Sequence, residues 1–267
     1  MALHALAVAA VAGLTAMVLL WLLSLKLRDA SIVDIWWGPG IAVLTVAAAL
    51  GAGSDGAGPR RLITLAAVGL WAGRLAWHIG RRNLGVKREE DVRYAAWRAK
   101  HGGRWWWRSL FQVFLLQGVI AWVVALPVMI AVSEPSSGMG VLDVVGAAVF
   151  LLGLGTEAVA DRQLARHIAD PANKGRLLDS GLWRYSRHPN YFGEALLWWG
   201  LGILGAAAGA WWSLAGPLVI TLFLRFGSGV PLTERRQSPK PGWDEYAART
   251  NAFVPWPPRR SPPTGQA

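Results

Sequence analysis

Residues 3–25 read LHALAVAAVAGLTAMVLLWLLSL, twenty-three positions without a formal charge. An uncharged apolar run of more than about 18 residues is long enough to cross a bilayer as a helix. No basic segment precedes it, and Lys26 and Arg28 follow it directly. This pattern predicts a retained span and not a cleaved leader. Outward from this helix the same reading recurs at Ile32–Leu50, Leu62–Gly80, Ser109–Val132, Val141–Ala160, Tyr191–Ala207 and Ala210–Phe226. The expected fold is all-α: a polytopic seven-helix bundle over residues 1–254, with the sixth and seventh spans joined by the small-residue stretch 205–210. A proline-rich tail, 255–267, is expected to be extended or disordered.

The distribution of charge orients these spans. Of the 27 Lys and Arg, 23 fall after the first span, in 81–108, in 160–190 or beyond 227. Seven alternating spans put all of these on one side when the N-terminus is outside, and the positive-inside rule makes that side cytosolic. The net charge of +11 is then a basic membrane face suited to anionic lipid, with no nucleic-acid module visible. The expected location is an integral protein of a bacterial inner membrane. Apolar residues at 54% and charged residues at 16%, against roughly 25% charged in soluble domains, agree with this class. The absence of Cys excludes disulfides and thiolate chemistry, and the five His show no ligand spacing, so no metal is expected.

Gly51, Gly53 and Gly56 spell G-x-G-x-x-G. A dinucleotide fingerprint needs a strand before it, a helix after it and an acidic residue about 20 positions on. A membrane span precedes these glycines and no Asp or Glu occurs between Gly56 and Glu89, so the sequence reads as a turn.

Ionisable groups inside spans are costly and point to function. The third span carries Arg74 and His78 at i, i+4, with Arg81 and Arg82 continuing that face. The fifth carries Glu157 and Asp161, the sixth opens with Asn190 and Glu194, the seventh holds Arg225, and Asp34 opens the second. Either Arg74 and Arg225 pair with these carboxylates to hold the helices together, or the groups line a polar recess open to the cytosol. Their common bias toward the cytosolic half favours the recess. The loop after the fifth span adds phosphate-competent Lys174, Arg176 and Arg187, the aromatics Trp183, Tyr185 and Tyr191, and Pro189 at the start of a helix whose N-terminus favours an anion. A nucleotide-diphosphate site is the chemistry such a mixture suits.

At Gly181-Leu-Trp-Arg-Tyr-Ser-Arg-His-Pro-Asn-Tyr-Phe-Gly-Glu194 the chain resembles the membrane reductases related to steroid 5-alpha-reductase and the sterol C14 and C24(28) reductases. It is more similar still to the bacterial branch of that superfamily labelled as a domain of unknown function. The resemblance extends to 31–38, 74–94, 157–174, 242–246 and 252–255. It implies NADPH held in the cytosolic half and hydride delivery to an activated C=C bond of a lipid-like substrate entering from the bilayer. Asp161, Asn190 and Glu194 match cofactor-contacting positions. Lys174, Arg187, His188, Tyr191 and Tyr246 fall in matching motifs and are expected at the cofactor. The superfamily's Gln-Glu-Leu-Pro on the second helix and Tyr on the third are absent; Asp34-Ile-Trp-Trp-Gly-Pro39 stands in the second, and 62–80 holds no Tyr. Donor or polarising roles are therefore expected of Asp34 (if protonated), Arg74 and His78. A shorter Arg-His-Pro-x-Tyr core is shared with isoprenylcysteine-type methyltransferases, which keeps S-adenosylmethionine as an alternative cofactor. A non-enzymatic membrane protein is the third reading.

Overall fold

The computed structural model describes residues 2–54, 57–84, 90–135 and 138–259, with the backbone alone at 81–84. Among the described residues every regular element is helical, and the sole strand-like feature is an isolated parallel bridge between Ser186 and Asn251. The chain forms two compact units. The first comprises residues 1–144 and 202–216, and the second comprises 145–201 and 217–267.

The first unit begins with α1 (Ala2–Leu27), apolar on all faces, with Leu3, Val11, Leu14, Leu19 and Leu22 exposed. Such a surface belongs in hydrocarbon, where a helix satisfies every backbone polar group internally. The α1 helix ends as Arg28 takes a left-handed φ of 54° and the Asp29 N–H reaches back to the Ser24 carbonyl. Next come α2 (Ile32–Gly51) and α3 (Pro59–Leu84). Small residues bring these helices together: a Cβ at Gly38 would lie 3.1 Å from the Ala72 carbonyl oxygen, and one at Gly51 3.0 Å from Ala5 Cα. Gly53 turns with φ 62°, as the turn reading of the glycine triplet requires, whereas Gly56 lies outside the described residues.

The fourth span departs from its expected form. Helix starts far upstream, in α4 (Val92–His101), passes through a 3₁₀ turn and α5 (Trp105–Ser109), widens to a π segment at Leu110–Leu115, and continues as α6 (Leu116–Val124). It kinks at Ala125 before α7 (Leu126–Ser133), with Pro127 near the start of α7. Proline lacks an N–H and clashes with the preceding turn, which breaks a single rod in two. Every residue of α7 is buried, packed against α1, α2 and α3.

The second unit holds most of α8 (Val141–Ala169), the start of α9 (Pro189–Ala207), the end of α10 (Ala215–Phe226), α11 (Val230–Gln237) and α12 (Trp243–Arg249). Helices α8 and α9 meet backbone to backbone. A Cβ at Gly153 would sit 2.3 Å from Leu197 N, one at Gly193 2.6 Å from Glu157 N, and one at Gly200 2.4 Å from Phe150 N. Gly153 on α8, with Gly193 and Gly200 seven residues apart on α9, thus forms a seam that no larger side chain can enter. The proline-rich stretch is tied down at its start, where the Trp256 N–H donates to the Tyr185 carbonyl and the Arg259 N–H to that of Arg249. Residues 260–267 of the expected tail lie outside the described residues.

Six of these helical runs are long and apolar enough to cross a membrane: Ala2–Leu27, Ile32–Gly51, Pro59–Gly80, Val92–Val124, Val141–Ala169 and Trp211–Gln237. The protein is therefore an all-helical membrane protein. Its α9, which carries Asn190, Glu194, four glycines and two tryptophans on the way to Ala207, is not among the six.

Candidate functional site

In the second unit the α8–α9 seam carries two polar rows. Glu157 and Asp161 are one turn apart on α8, Asn190 and Glu194 one turn apart on α9, and all three carboxylates are buried. The Asn190 Nδ2 donates to Asp161 Oδ1 at 3.2 Å, while Asn190 Oδ1 accepts from the Tyr191 N–H at 3.0 Å. Trp198 Nε1 donates to Glu194 Oε1 at 3.0 Å. Asp161, Asn190 and Glu194 thus share one helix pair, as expected, and Glu157 joins them. Beyond Asp161, Arg162 and Arg166 project to the surface of α8, and Lys174 is likewise exposed.

The remaining expected cofactor residues have their polar atoms engaged by the protein itself. The Arg187 Nε donates to Glu234 Oε1 at 2.8 Å, its Nη1 donates to the carbonyls of Ala247 at 2.9 Å and Thr250 at 2.5 Å, and its Nη2 lies 2.7 Å from Glu234. Its guanidinium also lies over the Trp243 ring. His188, 2% exposed, sets Nε2 3.3 Å from the same Glu234 oxygen and stacks flat on Tyr191, whose hydroxyl meets Thr233 Oγ1 at 3.0 Å. Burial pushes the His188 imidazole down to about 4 against the opposing pull of Glu234. Tyr246 donates its hydroxyl to the Trp183 carbonyl at 2.6 Å, and burial raises this phenol well above its ordinary range. Ser186 Oγ bonds the Phe253 carbonyl, and the Arg187 N–H bonds that of Asn251. The signature 181–194 is therefore for the most part a clasp that binds the chain after α12 to the start of α9. Its helical end, Asn190 and Glu194, faces α8.

In the first unit Asp34 sits near the start of α2 with both carboxylate oxygens accepting. Arg93 Nη2 donates to Oδ2 at 2.7 Å, and the Tyr94 hydroxyl donates to Oδ1 at 2.8 Å. Gln117 Nε2 donates to the Tyr94 oxygen at 3.1 Å, and Arg93 also binds Asp91, the N-cap of α4. The Tyr94 ring is buried among Met17, Val33, Trp105 and Phe114, so its hydroxyl is fixed in place. Nearby, the Glu90 carboxyl is opposed by burial, yet two bonds from Arg98 and one from the Ala30 N–H hold it below the usual carboxylate range. Arg74 and His78 lie one turn apart on α3, both half-buried, while the side chains of Arg81 and Arg82 lie outside the described residues.

Tyr94 is the functional candidate that spacing alone did not single out. It lies in a charged segment, VRYAAWR, whose helical continuation into the fourth span was not expected. The available signal was the Asp91 N-cap, which starts a helix and puts Tyr94 on its first turn. Pairing with Asp34 is a tertiary fact, 60 residues apart in sequence.

No solved structure matches the chain. The uncharacterized protein C594.04c of Schizosaccharomyces pombe is 27% identical over 273 residues, spanning 88% of this chain and 75% of the yeast protein. A family described as a protein of unknown function, DUF1295, matches residues 20–250. The match runs from the end of α1 through α12 and includes both polar clusters, and the chain belongs to the DUF1295 family.

Proposed function

We propose that this protein is a membrane-embedded, NADPH-dependent reductase of an activated C=C bond in a lipid-like substrate, in the manner of the steroid 5-alpha-reductase-like superfamily. The observation that carries this reading is the pair of polar rows on the glycine-packed α8–α9 seam. A dinucleotide presents O–H and N–H donors from its riboses and carboxamide and negative charge from its phosphates. Buried carboxylates at Asp161 and Glu194 and the two-way amide of Asn190 complement the donors. Exposed Arg162, Arg166 and Lys174 complement the phosphates. When bound, NADPH supplies the hydride.

The chain's part in the reaction is polarisation. A conjugated carbonyl gains negative charge on oxygen as its β-carbon is reduced, and a fixed O–H aimed at that oxygen stabilises it. Tyr94 carries a hydroxyl held in place: its O–H donates to Asp34, its oxygen accepts from Gln117, and Arg93 balances the Asp34 charge, so that turning the proton from Asp34 to a substrate oxygen would supply the donor. The charge asymmetry of the segments supports α9 as a seventh span, the N-terminus outside, the C-terminus cytosolic, and a bacterial inner-membrane location.

Titration of the purified protein with NADPH, read as resonance transfer from Trp to bound cofactor, tests the reading. The wild type should saturate below millimolar cofactor, and Asn190→Ala and Glu194→Ala should each weaken binding about tenfold or more, the weight of one charged or bidentate hydrogen-bond partner. A parallel titration with S-adenosylmethionine separates the methyltransferase reading. Saturation by that compound, with none by NADPH, overturns the proposal.

A further inference from the structure

Arg225 stands in the last turn of α10, inside the candidate span Trp211–Gln237. Among the described residues no carboxylate pairs with it, and its guanidinium lies over its own neighbour Phe226 at 4.8 Å. The expected alternative in which Arg225 bolts to Glu157, Asp161 or Glu194 is not what the arginine shows, since its contact is the Phe226 ring. An open cleft of about 320 Å³ adjoins it, lined by Arg225, Asn251, Ala252, Phe253 and Val254.

Two features define what the cleft would take. The first is charge. The ionisable groups around it are Arg187, His188 and Glu234 of the clasp, with Arg225 itself, and Glu234 is already bonded to Arg187. The His188 ring is held neutral by burial, so one guanidinium remains without a carboxylate at the end of a candidate span, where anionic headgroups can supply its partner. The second feature is the rim. Phe223 and Phe226 of α10 and Val254 and Trp256 of the C-terminal stretch are all exposed, Phe226 at 67% and Trp256 at 65%. Indole and phenyl groups at the end of an apolar helix sit at headgroup level in a bilayer. A cation and an amide residue (Asn251) lining a cleft beside such a rim match a phosphodiester whose acyl chains lie along the aromatics.

We propose that the Arg225–Asn251 cleft is a binding site for the phosphate of an anionic phospholipid. None of the α8–α9 row residues lines the cleft, and the inference holds whether or not the chain is a reductase.

The test is native mass spectrometry and thermal shift of the detergent-purified full chain with added phosphatidylglycerol, phosphatidylcholine or inorganic phosphate. Phosphatidylglycerol should be retained and should raise the melting temperature more than phosphatidylcholine. Arg225→Gln should lose roughly five- to tenfold in phosphatidylglycerol affinity, the weight of one interfacial cation, and Arg225→Lys should keep most of it. Asn251→Ala, which leaves the span untouched, should weaken binding in the same direction, so that a misfolded arginine variant does not decide the matter. Equal retention of the two lipids overturns the proposal. So does displacement of phosphatidylglycerol by millimolar inorganic phosphate, which would make this a free-anion site. Loss of NADPH binding in Arg225→Gln with phosphatidylglycerol binding intact would assign the cleft to the dinucleotide instead. Unaltered NADPH titration alongside lost lipid binding supports it.

Discussion

Two charge clusters in the first unit differ in how far they are closed. Arg60, at the start of α3, meets Asp143, at the start of α8, through Nε at 2.6 Å and Nη2 at 3.1 Å, and Asp143 also accepts from the Gly140 N–H. Both side chains are buried, Asp143 completely. The Asp34–Arg93–Tyr94 cluster is about a third exposed at Asp34 and Arg93 and branches to Asp91 and Gln117. The closed pair has no valence left for a ligand. The open one ends on a hydroxyl whose proton can be redirected to another acceptor. Closure marks a structural bolt, and a half-open branch ending in a proton-bearing group is where chemistry can enter.

Breaking the closed pair should give the largest effect. Arg60→Met leaves the Asp143 carboxylate buried and uncompensated, and should cost roughly 3–5 kcal/mol of stability. Replacing both residues, Arg60→Met with Asp143→Leu, should recover most of that loss, because well-packed apolar groups substitute for a buried ion pair. Thermal unfolding in detergent measures both, and an Arg60→Met protein as stable as wild type would remove the distinction from one side. From the other side, Tyr94→Phe should lower turnover about a hundredfold or more while leaving NADPH titration intact and the melting temperature within a few degrees. If Tyr94→Phe melted as early as Arg60→Met, the open cluster would be a second bolt.

A smaller effect comes from the clasp of the second unit, which is closed like the Arg60 pair but holds a titratable ring. The His188 value near 4 lies below the unfolded-chain value of about 6.5, so the unfolded state binds the extra proton first. The His188 contribution to stability is therefore intact above pH 6.5, declines as pH falls toward 4, and changes no further below that. His188→Gln should flatten that part of the melting-temperature profile between pH 6.5 and 4.5. An unchanged slope in the variant would show that His188 is not the group responsible.

The difference between closed and open clusters also explains what could be read in advance. The membrane class, five of the six long helical runs and the i, i+4 rows at Glu157/Asp161 and Asn190/Glu194 were legible because they depend on local period and composition. The roles within the 181–194 signature were not. Residue types there suit a phosphate site, yet Arg187, His188 and Tyr246 spend their polar atoms on Glu234 and on backbone carbonyls more than 40 residues away in sequence. Likewise the Tyr94 hydroxyl acquires a role through Asp34, which no spacing rule connects to it.

Sequence alone determined that this chain belongs in a membrane, because an apolar helix of 20 or so residues has nowhere else to bury its surface, and where the costly charges stand along it. Tertiary structure alone decided which of those charges are closed and which remain available. That depends on which donor meets which acceptor across the fold, and on glycines that let α8 and α9 touch, neither of which a one-dimensional pattern specifies.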